Sequence, residues 1–404
     1  MKTVAIISEY NPIHNGHLYQ IQKIREAFGD DTAIIAVMSG NFVQRGEPAI
    51  IDKWKRAEFA VKCGVDLVLE IPFPYSISSA EFFARAGVEI ASAIGADVLS
   101  FGSECASIER LTEVAENMLT DEFKAEFKSL SEDGEYINLG HPALCELAYK
   151  RLFNNEACEG VFLPNNILAL EYIKAIILSK STLTPHTIKR EGAGYNEEVI
   201  IDSPLQSATA IRELLRKDAI SATKYIPNVI KDDVLKLYHN GELPCDFEAL
   251  SSVVLSHFRL TAPLANEEIH DAKGGLYNRL KKKSLEATSI SSLIELVSTK
   301  KFTTARIKRA IWCSLLGVTS SDVKAPPAYT QALAMNSVGA ALLKRIKKMT
   351  VFPVITKPSA YSHLSAAAIR QKELSDKSDS IFELSCPIGR PGNFSLKSTP
   401  FVKK

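Results

Sequence analysis

The chain has 404 residues, is 46% hydrophobic and 24% charged, and carries a formal net charge of +1. This is an ordinary globular balance with room for a large core and two or three domains. No apolar run is long enough for a membrane span, and Met1-Lys2-Thr3 leads into a strand pattern rather than a signal peptide. The seven cysteines are odd in number, scattered and never in a CxxC pair. That pattern excludes a paired-cysteine zinc site and a disulfide framework, and it points to a reducing cytoplasm.

The apolar run Val4-Ala5-Ile6-Ile7 predicts a buried strand that breaks at Ser8-Glu9-Tyr10. Asn11-Pro12-Ile13-His14-Asn15-Gly16-His17 then turns the chain into a helix with Leu18, Ile21 and Ile24 on one face. His14 and His17 stand three apart at that turn. Both rings can therefore point past the helix N-terminus, where orphan N–H groups and the positive dipole end make an anion site. Gly16, without a side chain, would let a base or ribose lie against the backbone. The competing reading is a plain turn with two surface histidines.

Ala33–Met38, Val65–Glu70 and Asp97–Gly102 predict further strands, separated by helices at Asp52–Lys62 and Ser79–Ile94. Alternating strands and helices, with Gly or Ser after each strand, imply a parallel, Rossmann-like α/β sheet with ligands at the carboxyl ends of its strands. His14 and His17, Ser39-Gly40 and Gly102-Ser103 all fall at such ends. Glu109–Leu130 reads as a charged helix within a helical insertion at about 107–155. Pro142–Phe153 and the stretch after Leu163-Pro164-Asn165-Asn166 read as helices, and Thr187–Arg190 as a strand. Ser207 is a good N-cap, and Thr209 and Arg212 follow it in the first helical turns, so this start can hold a second phosphate opposite the first. The structural alternative is a capped amphipathic helix.

Near Ile226-Pro227 the alternation stops. Helices are expected at Ile230–His239, Phe247–Phe258, Gly274–Lys283, Ile290–Val297, Thr303–Leu316 and Gln331–Lys348, with a polar tail from Lys372 that is loosely ordered at its end. Two domains follow: residues 1–225 as the α/β nucleotide-binding part and 226–404 as a mainly α-helical basic part. Residues 1–220 carry 21 Lys and Arg against 32 Asp and Glu, and residues 221–404 carry 27 against 15. An acidic first half joined to a basic second half suggests a chemical module beside a polyanion-binding one. Three basic clusters are the candidate RNA contacts: Lys281-Lys282-Lys283, Arg306-Ile307-Lys308-Arg309 and Lys344-Arg345-Ile346-Lys347-Lys348. Lys23 and Lys53 read as surface lysines rather than helpers in the site.

The strand followed by HxGH, with the later S-x-T-x-I-R helix start, resembles the nucleotidyltransferases of the HIGH superfamily. EYNPIHNGHLYQI, MSGNFVQRGEPAIIDKWKRAEFAV, FGSE, LPNNILALEYIKAI, IKREGAGYNE and SATAIRELL narrow the resemblance to the bacterial tRNA(Met) cytidine acetate ligases. LYNRL, FTTARIKRA and LLKRIKKMTVFPVITKP extend it over nearly the whole chain.

The resemblance implies a two-step activity. ATP activates acetate as acetyl-adenylate with release of pyrophosphate, and N4 of the wobble cytidine of elongator tRNA(Met) then takes the acetyl group, releasing AMP. By the same resemblance, the stretch from Ile7 to Gln20, including Tyr19, cradles ATP together with Gly102, Asn165, Arg190 and Glu191. Ser207, Thr209 and Arg212 close over the triphosphate, and His14, His17 and Arg212 are the catalytic candidates. The loop from Gly40 to Glu47 either borders the acetate or entering cytidine, or is a plain loop. Magnesium is expected because ATP normally arrives with it, although no acidic metal cluster is evident, so ATP's own oxygens and water would supply most of its ligands. The rivals are a small-molecule adenylyltransferase of the pantetheine-phosphate or nicotinamide-mononucleotide type, which needs no basic half, and a non-catalytic RNA-binding protein.

Overall fold

The computed structural model describes residues 1–136, 139–153, 160–189, 206–261 and 268–403. Ten strands are present among them: β1 (Thr3–Ser8), β2 (Ala33–Ser39), β3 (Phe42–Val43), β4 (Glu47–Pro48), β5 (Leu67–Ile71), β6 (Val98–Ser103), β7 (Thr184–Lys189), β8 (Thr330–Met335), β9 (Val354–Ile355) and β10 (Phe401–Val402). The main sheet runs β10-β8-β5-β2-β1-β6-β7, with β9 on β8, and β3 and β4 form a separate hairpin. From β5 to β7 all neighbours are parallel. The apolar runs without alternation are explained by this, since strands such as β1 and β2 are covered on both faces and buried along their length.

The crossovers are α1 (Asn15–Phe28), α2 (Lys53–Lys62) and α3 (Ala80–Ala93). Beyond β6 come α4 (Ile108–Met118), α5 (Asp121–Glu132), α6 (His141–Leu152), α7 (Pro164–Leu178) and α8 (Ala208–Lys217). The single helix expected over Glu109–Leu130 is two, because Thr120 stops one and caps the next by accepting the N–H of Phe123. Chain order reverses at β1, whose neighbours are β2 on one side and β6 on the other. In such a sheet the ligand crevice lies outside the carboxyl ends at this switch point, which is where the chain carries its HxGH turn and Gly102.

The later part is mainly helical, with α9 (Lys231–His239), α10 (Ser251–Leu260), α11 (Leu276–Ser284), α12 (Ile290–Val297), α13 (Thr304–Leu316), α14 (Ser337–Met349) and α15 (Ala366–Phe382). Its separation from the sheet is incomplete. The helix expected over Gln331–Lys348 begins only at Ser337, after the Asn336 cap, and the preceding TQALAM run is β8, antiparallel to β5. The tail is likewise ordered rather than loose. Helix α15 buries Leu374, Ser375, Ser378, Asp379 and Phe382, and β10 pairs with β8. Among the described cysteines no disulfide is formed, although the Cys245 and Cys386 sulfurs approach to 3.3 Å. No helix among the described residues is long and apolar enough to cross a membrane.

Candidate active site

Strand β1 ends at Ser8, and His14, in extended conformation, becomes the N-cap of α1. The backbone N–H of Gly16 donates to His14 Nδ1 at 3.1 Å, and that of His14 donates to His17 Nδ1 at 3.3 Å. This is a reciprocal capping box built from two imidazoles. Its chemical consequence is a fixed tautomer. With both Nδ1 atoms accepting, the proton of each neutral ring belongs on Nε2, an assignment made from the hydrogen-bond pattern. The rings lie 3.9 Å apart at 37°, with Tyr10 edge-on to His17. Both imidazoles and the start of α1 thus border the same cleft, a setting suited to an anion.

Gly16 is also constrained from within its own turn. A Cβ there would stand 2.9 Å from His14 Cε1 and 3.1 Å from His14 Nδ1. The His14 ring takes up the position a Cβ would need, and Gly16 still borders a small cleft beside it.

The second motif folds onto the first. Ser207 caps α8 by accepting the N–H of Ala210 at 3.1 Å. One turn on, Arg212 donates to the Asn11 carbonyl at 3.0 Å and to Thr209 Oγ1 at 3.1 Å. The Asn11 side chain in turn accepts the Ile50 N–H at 2.8 Å. The turn after β1, the start of α8 and the segment before α2 are therefore one connected unit.

Between them opens a cleft with about 1230 Å³ of atom-free space, counted out to its mouth. Ile7, Ser8, Glu9, Tyr10, Asn11, His14, His17, Gln20, Gly102, Ser207, Thr209 and Arg212, all candidates from the sequence, line it. A smaller adjoining cleft is lined by Gly16, Tyr19 and Lys189 among others. Other members of the predicted cradle face away from the cleft. Ile13 is core, Leu18 packs against the core, and Asn15 donates to the Lys224 carbonyl. Arg190 and Glu191 lie outside the described residues, as does the side chain of Asn165.

The loop after β2 is the β3–β4 hairpin, and Val43, Gln44, Arg45 and Glu47 reach the cleft from it, whereas Ser39 is fully buried. Gln44 donates its backbone N–H to Glu9 Oε1 at 2.9 Å. Burial pushes the Glu9 carboxyl above its ordinary range, and the Gln44 N–H, Arg212, Arg45 and Arg56 offset only part of this. At Glu47 burial also opposes ionisation, but the ion pair with Lys308 outweighs it and holds the carboxyl below its ordinary range.

The far wall consists of Phe83, Phe101, Leu168 and Tyr172. Sequence reasoning missed these four, because apolar residues on α3, β6 and α7 carry no mark that separates a cleft wall from core.

Two expectations about cations change. Lys53 is not a surface lysine. It is 1% exposed, and its ammonium lies 2.8 Å from Glu70 Oε1 and 2.6 Å from Asp379 Oδ2. Burial would depress it, but Asp379 and Glu70 outweigh burial and hold it charged. Among the basic clusters, Lys308 is ion-paired to Glu47, and Arg309 donates to Asp271 at 2.5 Å. Arg306 bonds the carbonyls of Asp271 and Lys273, and Lys281 bonds that of Thr261. Lys282, Lys344, Lys347 and Lys348 are exposed, and Arg345 is half-buried.

A doubly wound sheet with a histidine-capped helix and a facing arginine at its switch point defines a nucleotide-binding enzyme of the nucleotidyltransferase class. The family model described as HIGH Nucleotidyl Transferase matches residues 1–388. A curated relative from Thermoanaerobacter sp. (strain X514), a tRNA(Met) cytidine acetate ligase, is 37% identical over 93% of this chain and 93% of its own length. The protein of the same name from Acetivibrio thermocellus is 34% identical over 92% of each chain. The crystal structure of Thermotoga maritima TmcAL bound with alpha-thio ATP superposes with a TM-score of 0.91 at 31% identity, covering 100% of both chains. The chain belongs to the tRNA(Met) cytidine acetate ligase family of HIGH nucleotidyl transferases.

Proposed function

We propose that this protein is an ATP-dependent ligase that acetylates N4 of the wobble cytidine of elongator tRNA(Met). Acetate attacks the α-phosphate of ATP, giving acetyl-adenylate and pyrophosphate, and the cytidine amine then displaces AMP. A carboxylate oxygen is a poor leaving group until AMP is attached to it, which is why ATP is consumed. The observation that carries the reading is the meeting of His14, His17 and Arg212 around one cleft at the switch point, in a chain that matches a ligase over 93% of its length.

In this reading the two Nε2–H donors and the start of α1 stabilise the charge that builds on pyrophosphate. Arg212 and the cap of α8 hold the triphosphate from the other side. The apolar wall of Phe83, Phe101, Leu168 and Tyr172 faces the uncharged parts of the substrates. Magnesium would travel on the phosphate oxygens of ATP. Among the described residues no group of three or more His, Cys, Asp or Glu side chains is placed to hold a metal, so no step of the chemistry is assigned to it. Exposed Lys282, Lys344, Lys347 and Lys348 are the cations best placed for tRNA phosphates, and the target base must leave its stack to enter the cleft.

Incubation with ATP, labelled acetate and bulk tRNA tests the reading. Label in elongator tRNA(Met), absent without ATP, is the expected result. Transfer of AMP to a small metabolite with no label in RNA would overturn it.

A further inference from the structure

The second step of the proposed reaction requires a proton acceptor. As the N4 nitrogen forms its bond to the acetyl carbon, the bond from that carbon to the phosphate oxygen of AMP breaks, and its electron pair leaves with AMP. The nitrogen begins with two hydrogens and ends with one. One proton must therefore be taken from it, whereas the first step needs no base because acetate is already an anion.

The cleft offers few groups for this. The backbone N–H groups donated to Nδ1 of His14 and His17 leave Nε2 as the protonated atom of each ring, a donor rather than an acceptor. Arg45 and Arg212 are cations. Among the described lining residues two carry carboxylates, Glu9 and Glu47. Glu47 is held by Lys308 from α13. Glu9 stands immediately after β1, at the switch point itself, where Oε1 is fixed by the Gln44 N–H at 2.9 Å. Its own carbonyl is pinned by buried Arg56 at 2.5 Å, so the residue is anchored at both main chain and side chain.

We propose that Glu9, given the cytidine-acetylating reading above, accepts the proton of the attacking N4 amine. A glutamate carboxylate is also the usual partner of the cytosine amino group in base recognition, so the same contact would position the base before reaction. Burial, which raises this carboxyl, makes it a stronger base than a solvated glutamate and suits it to the task.

The assignment separates the two half-reactions. Glu9→Gln preserves shape and the contact with Gln44. Any contact Glu9 makes with ATP affects both half-reactions, so the variant should slow acetyl transfer to tRNA about 10²–10⁴-fold more than it slows acetate-dependent ATP–pyrophosphate exchange. Glu9→Asp, which keeps the charge but withdraws it by a methylene, should show the same split in weaker form. Thermal melting confirms that each variant is folded. Transfer by Glu9→Gln at the parental rate would overturn the assignment alone, leaving AMP or water as proton acceptor. Equal loss of exchange and transfer in folded Glu9→Asp would also overturn it, by leaving Glu9 a role in ATP binding alone. A parent protein that exchanges ATP but never labels tRNA overturns the functional reading and this assignment with it.

Discussion

Replacing Gly16 by alanine separates stability from catalysis in a way that tests the imidazole capping box. The added methyl would sit 2.9 Å from His14 Cε1, inside the contact limit, so the ring must swing away. Its bond from the Gly16 N–H and its fixed tautomer go with it. Losing a cap costs about 1 kcal/mol, while alanine within a helix gains about 1 kcal/mol over glycine. The net change in stability should thus be within about 1 kcal/mol.

Catalysis has no such compensation. Loss of one preorganised donor to the developing anion costs about 10²–10³ in rate. Acetate-dependent ATP–pyrophosphate exchange and thermal melting, measured on the same sample, should show a crippled enzyme of nearly parental stability. Because both changes act through one ring, Gly16→Ala combined with His14→Ala should be no slower than His14→Ala alone. Exchange within threefold of the parent in Gly16→Ala would refute the argument.

Three further outcomes concern long-range contacts. Lys53→Met leaves Glu70 and Asp379 facing each other without their buried cation and should cost about 3–5 kcal/mol in chemical denaturation. Gly46 has φ +79°, and a Cβ there would stand 2.7 Å from the Arg309 backbone nitrogen. Gly46→Ala should therefore loosen the β3–β4 hairpin from α13, lowering the melting temperature and the rate of exchange together. Glu383, buried beside Arg390, is pushed up to about 7 from 4.5. It binds its proton more readily folded than unfolded, so its contribution is fully present below pH 4.5 and is lost as pH rises toward 7. Glu383→Gln should accordingly raise the urea midpoint more at pH 8 than at pH 5.

The HxGH turn was readable because everything it needs is local. A strand run, a turn at Asn-Pro and two histidines three apart suffice to predict an anion site at a helix start, and Ser207 with Arg212 is another such cap. Glycine at 16 was readable as necessary, but the packing of the His14 ring against it was not. The sequence cannot tell that the ring two residues before this glycine packs against it.

The sequence by itself determined the parallel sheet, its switch-point site and the family, because strand periodicity, caps and ordered motif blocks are properties of neighbouring residues. Only the tertiary structure decided what lies opposite them. Lys53 became a buried ion-pair partner because Asp379, far along the chain, packs beside it, and Lys308 turned from candidate RNA contact to partner of Glu47 through α13. The run from Thr330 to Met335 became a strand because the edge of β5 was open to accept it. Charge and hydrophobicity are written residue by residue, but the desolvation that makes a lysine structural or a glutamate basic comes from what folding brings against it.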